Sequence, residues 1–153
     1  MAQINVKASL REIIALVLAV AGLAVYIVTS TTGYLAGTAM NVLPIVLTVV
    51  AVAALVVDIA LGSRLPAVVR DLCVVGASVL LAASIALFVM SRVTLAADVY
   101  FIPVNYPAAE ADALHISIAG VVCYLLADIA LIVEAFAARR VERATIVVEP
   151  AAA

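Results

Sequence analysis

Two aspartates, Asp58 and Asp128, stand inside long apolar runs, each opening the same tetrapeptide, Asp-Ile-Ala-Leu. A carboxylate at the centre of a bilayer-crossing helix costs about 2.5 kcal/mol or more on insertion scales, so such a residue is kept where it binds something. Asp128 with Asp58 is therefore a candidate proton or cation site. Tyr124 falls four residues before Asp128, on the same helical face, where its hydroxyl is placed to donate to that carboxylate. A structural role competes with this reading. Each aspartate then bonds a neighbouring helix or pairs with an arginine, and Arg64 and Arg70 are the intrachain candidates for Asp58 and Glu134.

Other chemistry is thinly represented. The one histidine, His115, excludes ligation of a haem by two histidines of one chain and leaves a Ser-His-Asp site hard to build. Cys73 and Cys123 stand alone in apolar runs with no CxxC or Cys/His spacing, so no metal site and no redox pair is expected. With no nucleotide loop, metal cluster or activated nucleophile either, the expectation is a protein that is not an enzyme and carries no cofactor. The net charge of −2 gives no reason to expect a nucleic-acid partner.

The most distinctive local sequence runs from Asp98 to Pro107, where Tyr100, Phe101 and Tyr106 gather around Asn105 between Pro103 and Pro107. Prolines hold such a segment in extended or turn conformation. The aromatics then lie at headgroup level or form a docking surface, with His115 close by at the start of the following apolar run. Small residues recur four apart at Ser78, Ala82 and Ala86, and again at Ala119, Cys123 and Ala127. Such stripes let helix backbones approach closely. Their simplest use is contact between the third and fourth runs, and a seam between subunits is the alternative.

The elements that position these residues follow from composition. The chain has 153 residues, 69% hydrophobic and 12% charged, with a mean hydropathy of +1.36. A soluble domain is roughly half apolar and a quarter charged, so this is a membrane composition. A helix needs about 20 apolar residues to cross the hydrocarbon core. Four stretches qualify, at about 13–30, 42–62, 72–90 and 114–137, with an outer loop at 92–113 and a disordered tail at 144–153.

Orientation comes from the basic residues. Lys7 and Arg11 precede the first span, Arg64 and Arg70 lie between the second and third, and Arg139, Arg140 and Arg143 follow the fourth. Arg92 alone lies on the other side, so both termini are expected in the cytoplasm and the protein in the plasma (inner) membrane. The expected fold is all-α: a polytopic membrane protein forming one antiparallel four-transmembrane-helix bundle over 1–143. The halves echo each other. Arg11-Glu12 and Arg70-Asp71 open the first and third spans, while the two Asp-Ile-Ala-Leu segments close the second and fourth, a pattern that fits two tandem helical hairpins.

The functional expectation is a small accessory or assembly subunit in the lipid bilayer, contacting a larger membrane complex or copies of itself. The alternative is a small oligomeric proton- or cation-coupled transporter or channel that uses Asp128 with Asp58.

Overall fold

A chain this apolar has one economical solution in lipid, which is to satisfy every backbone polar group inside a helix. The computed structural model describes residues 6–37, 39–61, 64–101 and 108–148, with 6–9, 34 and 138–148 described as backbone alone. Described residues are all-helical or connecting, with no strand among them. The helices are α1 (Val6–Thr31), α2 (Leu43–Leu61), α3 (Ala67–Met90), α4 (Val93–Phe101) and α5 (Ala108–Val148), and a single 3₁₀ turn at Gly33–Leu35 follows α1. Four of them, α1, α2, α3 and α5, are long and apolar enough to cross a membrane, the mark of a multi-pass membrane protein.

Local chemistry sets the helix ends. The Asn41 carboxamide oxygen accepts the Leu43 N–H at 3.0 Å, and Pro44 occupies the first turn of α2, where a missing N–H costs nothing. Gly33 and Gly37, at φ of 67° and 104°, turn the chain after α1 through backbone conformations that side chains disfavour. Within the apolar helices hydroxyls are satisfied by bonding back one turn, as Thr29 does to the Val25 carbonyl, Thr48 to Pro44, Ser84 to Leu80 and Ser117 to Ala113.

Burial follows a narrow stripe. On α2 it takes Pro44, Thr48, Ala51, Leu55 and Asp58; on α3 it takes Val74, Ala77, Leu81, Ser84 and Phe88. The alternating steps of three and four residues put each set on one helical face. The remaining faces stay apolar and outward, with Val17, Val46, Leu72, Val79 and Ile129 all about half exposed or more. An outward surface of that kind suits hydrocarbon and not water.

Helix α1 packs on α5 and α2, α2 also on α3, and α3 also on α5. The most extensive pairings, α1 with α5 and α2 with α3, join the two halves of the sequence. Two glycines allow the α1–α5 approach. A Cβ on Gly22 would lie 2.8 Å from the Tyr124 ring, and one on Gly120 would lie 2.6 Å from Val25.

The segment expected as an outer loop, 92–113, is instead mostly helical, holding α4 and the first residues of α5. Leu95 and Val99 fix α4 by packing into a small second core with Leu35 and Leu114. The three- and four-residue spacing from Arg92 through Leu95 to Val99 carries this helix, a signal masked by the prolines further on. At the other end α5 continues to Val148, into the expected tail; residues 149–153 lie outside the described residues, as do Gly62 and Ser63 of the α2–α3 turn.

Candidate functional site

Polar side chains inside the four long helices are collected in sets at different depths. The most highly charged set lies where the start of α1, the end of α2, the start of α3 and the C-terminal part of α5 meet. Arg11 Nε donates to Glu134 Oε2 at 2.5 Å, and Arg70 Nε donates to Asp58 Oδ1 at 3.4 Å. Glu12 is buried too and lines a small pocket with Arg70 and Glu134. Both arginines keep contact with the surroundings, at 36% and 43% side-chain exposure, while the Glu134 and Asp58 side chains are at 4% and 0%. Long basic stems reaching in from the boundary to buried acids is the arrangement expected of snorkelling residues. The second acid of the echo, Asp71, is exposed.

About 15 Å further along, ten residues from Asp58 on α2 and from Glu134 on α5, lies an uncharged set. Thr48 Oγ1 stands 2.9 Å from Tyr124 Oη and 3.2 Å from Ser84 Oγ, all three residues fully buried. The Tyr124 ring meets Phe88 edge-on at 6.2 Å, and Phe88 meets Tyr26 edge-on at 4.8 Å. Tyr26 carries the network to the connection before α2 by donating its hydroxyl to the Asn41 carbonyl at 2.7 Å.

At the far end Arg92 is buried between α3 and α4. Its Nε donates to Ser117 Oγ at 3.2 Å and its Nη2 to Thr29 Oγ1 and Ser30 Oγ at 3.1 and 2.7 Å. The guanidinium carbon lies 5.5 Å from the centroids of both the Tyr26 and Phe88 rings, within cation–π range. Among the described residues no carboxylate pairs with it. Burial pushes the Arg92 guanidinium below its ordinary value, opposed by Tyr26; an arginine stays protonated across the physiological range regardless. Three hydroxyls and two ring faces thus replace the water this cation lost.

Asp128, Asp58 and Tyr124 do not share a site. Asp128 is half-buried and accepts from Ser78 Oγ at 2.6 Å, Asp58 belongs to the charged set, and the Tyr124 hydroxyl goes to Thr48. Asp58 is buried, at 2% exposure, and so is Glu134, at 3%. Of the two arginines considered for these acids, Arg70 reaches Asp58; Arg64 is exposed, and Glu134 is taken by Arg11.

In the small-residue stripes Ala127 is buried and Ser78 and Cys123 are half-buried, whereas Ala82, Ala86 and Ala119 face outward. Both cysteines are free. Tyr100 and Phe101 are exposed on the last turn of α4, at 62% and 82%, and His115 is exposed near the start of α5; Asn105 and Tyr106 lie outside the described residues. No group of three or more His, Cys, Asp or Glu side chains that could hold a metal occurs among the described residues. A groove of about 250 Å³ runs between α3 and α5, walled by Val74, Val79, Leu131 and Phe136 with Ser78 as its polar edge. Beside it a pocket of about 30 Å³ is lined by Glu12, Arg70, Asp71 and Glu134.

Thr48 and Ser84, expected from the sequence to bond their own helix backbones, do so and also meet each other, while the sequence named Arg11, Glu12 and Arg92 for orientation and internal repetition and not as site residues. Arg92 carried one usable signal, as the single basic residue on its side of the chain. No family model matches this chain, and neither curated proteins nor solved structures give a match.

Proposed function

We propose that this chain is a small non-enzymatic integral membrane protein of the plasma membrane, an accessory or assembly subunit of a larger membrane complex. In this reading the four long helices form one antiparallel bundle, two hairpins in tandem, with both termini cytoplasmic. The basic residues at the ends of the spans support that orientation.

The observation that carries the proposal is how the interior polar groups are used. Each set bonds within itself and ties two or more helices together, and among the described residues no hydrogen bond between side chains links one set to the next. Groups spent on holding helices together leave binding to the outward surfaces. The exposed aromatics Tyr100 and Phe101 at the end of α4 and the outward alanines of α3 and α5 are the surfaces offered to a partner. Substituting Tyr100 and Phe101 by serine releases the partner during purification from native membranes while the fold persists. The reading fails if no stable partner exists there.

One observation favours the second reading, a proton- or cation-coupled transporter working as an oligomer. Asp128 is bonded to Ser78, and Ser78 edges the α3–α5 groove, so the carboxylate lies next to open space. Asp128→Asn keeps shape and hydrogen bonding but removes titration. Coupled flux that survives this change ends the transport reading.

A further inference from the structure

Asp128 is half-buried and stands nine residues from the nearer end of its span, Ala108–Ala137, about 14 Å in from that end. Ser78 donates to its Oδ1 at 2.6 Å, and among the described residues no arginine or lysine pairs with it. An ionisable side chain at such depth ordinarily pairs with an opposite charge or a polar interior. Asp128 has a single hydroxyl.

This carboxylate stands at one end of the α3–α5 groove. Leu131, Ile132, Ala135 and Phe136, which form the α5 wall, follow it at three- and four-residue steps, and Ser78 belongs to the α3 wall. Past Ser78 the same stripe of α3 continues with Ala82 and Ala86, both exposed. The walls can take apolar side chains of an incoming helix, the alanines let its backbone come close, and the carboxylate between them calls for a cation.

Another copy of this chain does not bring that cation. Of the eight basic residues, Arg11 and Arg70 lie in the first turn of their spans and the other six lie outside every span. Arg11 and Arg70 are engaged by Glu134 and Asp58, and Asp128 is six residues, about 9 Å, deeper along α5 than Glu134. Arg139, the nearest basic residue on α5, is eleven residues from Asp128, about 16 Å along the helix.

We propose that the α3–α5 groove seats one transmembrane helix of a different protein, a helix that carries a lysine or arginine within its apolar run and pairs it with Asp128. Each charge alone is costly in hydrocarbon, and the pair relieves both chains at once. The inference rests on the accessory reading above and names the partner's class and its seat.

The test places the full-length protein in phosphatidylcholine vesicles with either of two synthetic helices of about 20 leucine and alanine residues, one with a single central lysine and one without. Energy transfer between a dye on the protein's C-terminus and a dye on the peptide reads association. The lysine helix should bind about tenfold more tightly than the plain one, the worth of one interhelical polar contact in lipid. Asp128→Asn keeps the Ser78 bond and abolishes that preference, while Asp71→Asn leaves it intact. Val79→Phe, at a groove position 63% exposed and so clear of the core, weakens binding of the lysine helix. Equal binding of the two helices to the wild-type protein overturns the proposal, whether a lipid chain or nothing then fills the groove. A lysine preference that survives Asp128→Asn overturns it as well. The wild-type comparison decides even if a variant fails to fold. A complex recovered from native membranes that is indifferent to Asp128→Asn leaves the accessory reading standing and overturns this one.

Discussion

Replacing Gly120 by alanine adds a single methyl group at the tightest point between α1 and α5. That methyl would stand 2.6 Å from Val25 Cγ1, 3.0 Å from Val25 Cβ and 3.1 Å from Phe88 Cε1. Val25 cannot turn away, because a β-branched residue in a helix is held to one strongly preferred rotamer. Phe88 is itself fixed between Tyr26 and Tyr124. Helix α5 must therefore move off α1, and overpacking of this kind costs about 1–3 kcal/mol. Against it stands the intrinsic gain of alanine over glycine in a helix, about 1 kcal/mol.

Gly76 on α3 separates the two terms, since a Cβ there meets nothing within 4 Å. Gly76→Ala should stabilise the protein by up to about 1 kcal/mol, with Gly120→Ala lying about 1–3 kcal/mol below it. Unfolding in mixed micelles, followed by circular dichroism under identical conditions for both variants, reads the difference directly. The reasoning is refuted if Gly120→Ala is as stable as Gly76→Ala.

Four further outcomes follow from the same structure. Tyr124→Phe removes the hydroxyl bonded to Thr48 and should cost about 1 kcal/mol in the same unfolding assay, with Thr48 still bonded to the Pro44 carbonyl. Glu134→Ala strips Arg11 of its partner; because Arg11 is 36% exposed and can be rehydrated, the loss should be about 1–3 kcal/mol and not the larger cost of a fully buried break. Arg92→Lys keeps the charge but loses the planar fork that reaches Ser117, Thr29 and Ser30 together. It should lower stability by about 1–3 kcal/mol, measured by the same unfolding. Gly22→Ala drives a methyl against the Tyr124 ring at 2.8 Å and should destabilise as Gly120→Ala does, visible as a lower melting temperature in detergent.

The four long helices were legible because the signal is summed over about 20 residues and lipid leaves a span few alternatives. Which face of each helix turns inward was much less legible. In soluble helices polar residues mark the outside, but here Val, Leu and Ala occupy both faces, and Ala82 and Ala86 look no different in sequence from the buried Ala77. The burial of Asp58 and the half-burial of Asp128 were not legible for a related reason. Counting residues from a span's end gives height along the bilayer normal, whereas burial depends on rotation about the helix axis and on which helix stands opposite. Arg11 and Arg70 were visible as a repeated basic–acidic opening, yet their partners sit 123 and 12 residues away, and only the fold decides that Arg11 reaches Glu134 while Arg70 reaches Asp58. Helix α4 was missed because the aromatics and prolines of the same stretch drew the reading toward an extended loop. Its existence rests on Leu95 and Val99 finding Leu35 and Leu114, which lie on other elements.

An accessory subunit has its function in contacts made outside itself, so the most direct measurement is of what accompanies it. The protein should be extracted gently from native membranes, isolated by affinity through its C-terminus, and the intact assembly weighed by mass spectrometry. The account predicts a reproducible complex with another membrane protein, lost when Tyr100 and Phe101 are replaced by serine. Recovery of the chain alone, or only with copies of itself, would contradict it, and the self-assembled form would move the weight to transport through Asp128.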